Sequence, residues 1–332
     1  MSQRVSLAAA LTAVPHVSSE AWRAASLPVR WLISARAGVL VMTFASATLG
    51  GMLSLRLPGW DPLNWAVCTL GLLLAHAANN QLNDLTDSAR GVDDGNYFRV
   101  LYGAHVLEHG LLSQRGLACY FLCTGALAAL AGAWLVWRVG PGLLMPMLLG
   151  SLFLLFYTWP LKQWGLGELA VLLVWGPLMV GGTAFATTGA WDWPIAAVGL
   201  IAALGPTTVI FGKHIDKLAF DERKGIATLP VRLGPERSRR WVRGMLVGQY
   251  LGLAGCVLAG WLAWPALLVL LALPRARRVW RVYGSPPPAT EPAGYPAGIW
   301  PLWYVACAFD HTRLWSLLLL AGLCVSFVFA SP

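Results

Sequence analysis

An all-α, polytopic membrane protein of about nine transmembrane helices is what this sequence predicts, and three observations carry that reading. Mean hydropathy is +0.62. Only 12% of the 332 residues are charged, too few to clothe a soluble protein of this size. Apolar windows of roughly 17–25 residues, enough to cross a bilayer, recur near 37–56, 62–84, 116–137, 141–159, 168–188, 194–214, 241–262, 264–274 with its extension, and 312–330.

Each element follows from local composition. Residues 1–29 contain one weak apolar run, Leu7 to Val14, which is short and lacks the small-residue cleavage site of a secretory signal. They read as a retained, mobile cytoplasmic arm, and residues 30–332 as a single domain. Pro146, Pro177, Gly181, Gly182 and Pro206 fall inside spans, where membrane helices tolerate them if neighbours satisfy the freed backbone groups. Gly284-Ser-Pro-Pro-Pro-Ala-Thr-Glu-Pro292 is an extended linker. Beyond it, Ile299 to Tyr304 is too short to span and rich in the aromatics of membrane interfaces, so 284–310 reads as a linker and interfacial segment before the last helix.

Charge sets the orientation, because short loops rich in Lys and Arg stay in the cytoplasm. With the amino terminus inside, all of the chain's 24 Lys and Arg except Arg56 and Arg138 fall on the cytoplasmic side. The formal charge of +9 then reflects topology and contact with anionic membrane lipids; no nucleic-acid-binding module is recognisable. The protein reads as integral to the cell inner membrane. The six cysteines lie mostly in apolar spans and form no CxxC pair, so they read as small hydrophobes rather than a disulfide or zinc framework.

Polar residues end two of the spans. Asn80, Asn83 or Asp84, and Asp87 recur at spacings of three and four and project from one face of a helix end. Such oxygen ligands suit a hard cation such as Mg²⁺; the other reading is a solvated, capped helix end. A second acidic end lies between Gly212 and Gly234, with Asp216 and Asp221. His76 stands about one turn before Asn80, facing a cavity or serving as a hydrogen-bonded structural histidine. His105 and His109 are four apart, a bare metal-ligand spacing with no third ligand in range.

Asn83-Asp84-x-x-Asp87-x-x-x-Gly91-x-Asp93, then Tyr157-Thr158-x-Pro160-x-Lys162 with Gly165-x-Gly167-Glu168, then Lys224-Gly225-x-x-Thr228-Leu-Pro-Val-x-x-Gly234 together resemble the UbiA superfamily of intramembrane prenyltransferases. The first motif looks like that of its dihydroxynaphthoate, or menaquinone-pathway, branch. The resemblance implies nine helices around a central cavity, with both acidic motifs facing the cytoplasm. It further implies that Mg²⁺, held by Asn83, Asp84, Asp87, Asp93, Asp216 and Asp221, binds a prenyl diphosphate donor. Arg90, Lys162, Lys213 and Lys217 would lie against the phosphates. Asp87, Asp216, Tyr157 and Lys162 would be catalytic, with Tyr157 stabilising an allylic cation or orienting the donor. An aromatic acceptor would capture that cation, and the stretch from Arg99 to Ser113 would help cover the site. The same ionisation would also serve a terpene cyclase or elongase with an isoprenoid acceptor, and intramembrane polar groups also occur in non-enzymatic lipid-binding or transport proteins. This chain departs from the pattern at the second motif. Lys213-His214 stands where the branch has two asparagines, and the aspartates are five apart rather than four, which swings the second acid out of line on a helix.

Overall fold

The computed structural model describes residues 5–12, 15–92, 103–296 and 299–329. Among these residues the regular structure is helical, and seven helical stretches are long and apolar enough to cross a membrane. Three short helices, α1 (Leu7–Thr12), α2 (Ser19–Ala24) and α3 (Leu27–Ser34), precede α4 (Val41–Ser54) and the long α5 (Pro62–Ala89). Then come α6 (Gln114–Val139), α7 (Leu144–Phe156), α8 (Gly167–Leu173), α9 (Gly182–Thr188) and α10 (Trp193–Asp216). Two short turns, α11 (Leu218–Arg223) and α12 (Leu229–Leu233), lead into α13 (Pro235–Leu258), α14 (Leu273–Val282) and α15 (Trp303–Phe329).

Helix starts are written in the sequence. Asp61 caps α5 by accepting from the N–H groups of Leu63 and Asn64 at 2.8 and 3.0 Å, ahead of Pro62. The Asn64 N–H, with Leu63 and Arg138 adding to it, holds the Asp61 carboxyl below its ordinary pKa. Asp192 caps α10 through Ile195 at 2.8 Å, and Ser113 caps α6 through Gly116 at 3.1 Å. α10 is the hub, packing on α4, α8, α13 and α15. Around it lies a core of Val180, Val198, Leu253, Val269, Trp315 and Leu319. α6 and α7 lie at the edge and turn leucines such as Leu122, Leu130 and Leu148 outward, the pattern of a lipid-facing surface.

Five expectations shift. The window 62–84 is helical through Ala89, but Asn64, His76, Asn79, Asn80 and Gln81 dilute its hydropathy. The window at 264–274 is a tight 3₁₀ stretch, Trp264–Ala272, followed by the arginine-rich α14. Neither is among the seven apolar helices, so the count of nine spans is not reproduced on length and composition. α15 begins at Trp303, nine residues before the expected span, so that residues 303–310 of the expected linker and interfacial segment are helical, and α13 begins six residues before its expected span. The described part of the amino-terminal arm is docked rather than free: Ala10, Val17, Ala21 and Trp22 are buried against Ala104, Val106 and Leu117. Of the apolar run Leu7 to Val14, Ala10 packs into this cluster while Leu7 and Leu11 stay exposed.

Caps and ion pairs place Leu57–Asp61, Arg138 and Gly189–Asp192 at one end of the bundle, where the Asp61 N–H meets the Thr187 carbonyl and Arg138 reaches Asp61. With Cys119, Cys123 and Cys324 replaced by serine, Arg237→Cys is expected to react with a membrane-impermeant maleimide only from the cytoplasm. Ala190→Cys should react only from outside. Labelling of both from one face would overturn the orientation.

Candidate active site

The last two turns of α5 carry Asn80, Asn83, Asp84 and Asp87 on one face. Arg36 lies against that face from the turn before α4. It is a non-glycine residue in the left-handed region, φ 53°, a conformation that costs about 1–3 kcal/mol and persists where the surroundings over-determine it. Its Nη2 donates to the Asn80 carbonyl at 3.3 Å, to Asn83 Oδ1 at 3.2 Å and, at close range, to Asp84 Oδ1. Three oxygens therefore converge on one cationic nitrogen. His105, fully buried, brings Nε2 to 3.9 Å from the same Asp84 oxygen. Among the described residues no three His, Cys, Asp or Glu side chains form a metal-binding group.

Asp87 is held from the other side. Lys162 Nζ donates to both of its oxygens, at 3.0 and 2.9 Å, and is only 4% exposed. Asn83 Nδ2 donates to Thr158 Oγ1 at 2.9 Å. Both partners reach α5 because the chain unwinds after α7: Pro160 lacks an N–H, and Trp159 takes an extended conformation (φ −149°, ψ 129°). Tyr157 belongs to the same stretch as Thr158 and Lys162, which tie that stretch to the first motif.

At the second acidic end the helix breaks at Lys217, between α10 and α11. Lys217 Nζ donates to Asp221 Oδ1 at 2.8 Å, both groups buried. Lys224 Nζ donates to the Gly91 carbonyl at 3.0 Å, tying this end to the rim of the first motif. His214 Nδ1 lies 2.5 Å from Glu168 Oε1, both fully buried, while Lys213 beside it is half-buried.

Two expected residues stand elsewhere. Asp216 accepts the N–H groups of Tyr304 and Val305 at 2.9 and 3.0 Å. It satisfies the first turn of α15 instead of joining the other acids. Gly212, one turn earlier, permits this: an added Cβ would lie 2.8 Å from the Val305 nitrogen. Arg90 is exposed, with its guanidinium 5.3 Å from the centre of the Trp159 ring, away from the carboxylates. Asp93, and Arg99 with it, lie outside the described residues. Conversely, Arg36, Thr158 and the His214–Glu168 contact gave no advance signal, since each depends on residues 40 or more positions away in the chain.

An apolar cavity of about 350 Å³ opens beside this cluster, lined by Tyr157, His76 and Trp175 toward the acids and by Cys68, Leu135 and Leu143 deeper in. His76 is hydrogen-bonded to Thr43 at 2.8 Å and packs edge-on against Trp175 at 5.0 Å, a structural histidine in the cavity wall. Carboxylates with bound bases at the mouth and hydrocarbon below suit an amphiphile with an anionic head. Residues 39–295 match the UbiA prenyltransferase family over most of the chain. The chain belongs to that family. This UbiA-family protein is an integral membrane prenyltransferase, and named relatives lie in the menaquinone branch. It is 31% identical over 240 residues to 1,4-dihydroxy-2-naphthoate octaprenyltransferase of Escherichia coli, covering 68% of this chain and 75% of the relative. It is 25% identical over 267 residues to 2-carboxy-1,4-naphthoquinone phytyltransferase of Synechocystis sp., covering 77% and 82%. Its fold is like that of a UbiA homolog from Aeropyrum pernix K1, with a TM-score of 0.66 at 17% identity over 87% of this chain and 98% of that one. It is also like a UbiA homolog from Archaeoglobus fulgidus bound to GPP and Mg²⁺, with a TM-score of 0.59 at 16% identity over 89% and 99%.

The placement of Asp216 gives a testable contrast. Two hydrogen bonds to a buried carboxylate contribute about 2–4 kcal/mol. Asp216→Ala is therefore expected to lose about that much unfolding free energy in detergent, and Asp216→Asn, which keeps one oxygen acceptor, less. Divalent-cation affinity should stay within about threefold of the native protein in the folded Asn variant. A tenfold loss of affinity there would make Asp216 a ligand.

Proposed function

We propose that this protein transfers the prenyl group of a prenyl diphosphate to an aromatic, quinone-precursor acceptor of the 1,4-dihydroxy-2-naphthoate type. The observation that carries the reading is the meeting of Asp84, Asp87, Lys162, Arg36 and Tyr157 at the mouth of an apolar cavity. The first motif fits Mg²⁺, because Asn83 Oδ1, Asp84 and Asp87 present only oxygens, already turned toward cationic nitrogens. Asp93 is proposed as a further ligand. When bound, Mg²⁺ neutralises the charge that develops on the leaving diphosphate.

The protein's own groups do the rest. Lys162 and Arg36 hold the acids in place and offer N–H donors to phosphate oxygens. The deep cavity takes the isoprenoid tail and keeps water from the allylic cation left when the C–O bond breaks. The rings of Tyr157 and Trp175 at its upper end stabilise that cation through their faces. An electron-rich ring then supplies the electron pair of the new C–C bond. The named relatives support the acceptor class. The one-sided distribution of basic residues supports an inner-membrane protein whose site faces the cytoplasm.

Purified protein with Mg²⁺, a panel of prenyl diphosphates and candidate acceptors, analysed by mass spectrometry, tests this. Prenylated dihydroxynaphthoate products are expected. Cyclised or elongated isoprenoids formed without an aromatic acceptor would replace the reading with cyclase or elongase chemistry.

A further inference from the structure

A metal ion held at the second acidic end by clustered side chains, as at the first motif, would need two or more oxygen donors there, and Asp221 is the one that end supplies. The donor beside Asp221 would sit one helical turn before it, at position 217, and that residue is a lysine. Asp216, the adjacent acid, has both oxygens committed to the backbone of Tyr304 and Val305. Glu222 is exposed. The residues present therefore do not fit a second Mg²⁺ as those of the first motif fit one.

They form something else. Lys217 is 6% exposed and Asp221 fully buried, joined at 2.8 Å. The Asp221 Oδ2 atom is buried without a hydrogen-bond partner. An ammonium group has three N–H donors, and Lys217 gives one to Asp221. The carboxylate fixes the position of the ammonium. Local charge is conserved by this arrangement: a lysine with one carboxylate is neutral, as is a divalent cation with two. What changes is that N–H donors, rather than a metal ion, face an incoming anion. Lys224, bonded to the Gly91 carbonyl, links this end to the first motif.

We propose that Lys217 takes the place of a second metal ion, so that the second motif binds the diphosphate directly through its ammonium. The protein then loads a single divalent cation, at the first motif, for each diphosphate. This deepens the proposed function and rests on it.

The test is a titration of the full-length protein in nanodiscs with Mn²⁺ in the presence of inorganic diphosphate, with bound metal counted by electron paramagnetic resonance. One Mn²⁺ per protein is expected, and Lys217→Asp, which creates a helix-spaced acid pair with Asp221, should raise the count to two. In EDTA, inorganic diphosphate should still bind, with affinity about tenfold weaker in Lys217→Met and little changed in Lys217→Arg. Two ions in the native protein overturn the inference without recourse to any variant, as does undiminished diphosphate affinity in Lys217→Met. A native protein that binds no diphosphate with or without Mn²⁺ is a different outcome, and it would remove the proposed function along with the inference.

Discussion

Asp87→Ala is expected to lower the rate of diphosphate release by about 10³-fold or more, and EDTA to do the same to the native protein. Asp87 is the acid on which the first motif turns: it is buried, and both of its oxygens face Lys162. Its removal strips a proposed metal donor and leaves the Lys162 charge buried without the carboxylate it is bonded to. A loss of about 3–4 kcal/mol in transition-state stabilisation corresponds to 10²–10³ in rate, and the misplaced lysine adds to it. Asp87→Asn separates the two contributions, since it keeps the shape and one oxygen but not the charge. Release of inorganic diphosphate from a prenyl diphosphate, followed alongside circular dichroism, measures this. Full turnover in either Asp87 variant, or in EDTA, would remove the first motif from the chemistry.

Lys162→Met should be damaging in a different way. Breaking a buried ion pair by removing one partner costs about 3–5 kcal/mol, because the remaining charge is stranded. Stability and activity should therefore fall together. The double variant Lys162→Met/Asp87→Asn leaves no stranded charge, so it is expected to recover most of the stability and none of the activity. Such non-additivity is the signature of a direct pair. Denaturation in detergent micelles, paired with the diphosphate-release assay, gives both quantities. Additive losses of stability in the double variant would show that the two side chains do not depend on one another.

How much of the site could be read in advance varies with the range of the interactions. Asn83, Asp84 and Asp87 share a face because they share a helix, and a spacing of three and four states that locally. Lys162 was within reach only through the family-like stretch from Tyr157 to Lys162, and it is the unwinding at Trp159-Pro160 that brings it to α5. Arg36 is different: its role comes from a left-handed backbone and a helix 44 to 48 residues further on, and one arginine before a span looks like any topological anchor. Arg90 misleads for the converse reason. It follows the acids in sequence, but it lies at the exposed end of α5, over Trp159.

The sequence by itself determined the membrane-embedded all-α class, the acidic face of α5 and the family, because hydropathy, helical spacing and motif order are properties of the chain read along its length. It also exposed the five-residue spacing at the second motif. Only the tertiary structure decided what that spacing means. Asp216 turns to the first turn of a helix 88 residues away, where Gly212 lets the backbone approach, and Lys217 remains to pair with Asp221. A buried charge must find a partner or be expelled, and which partner it finds is fixed by which segments the packed helices bring together.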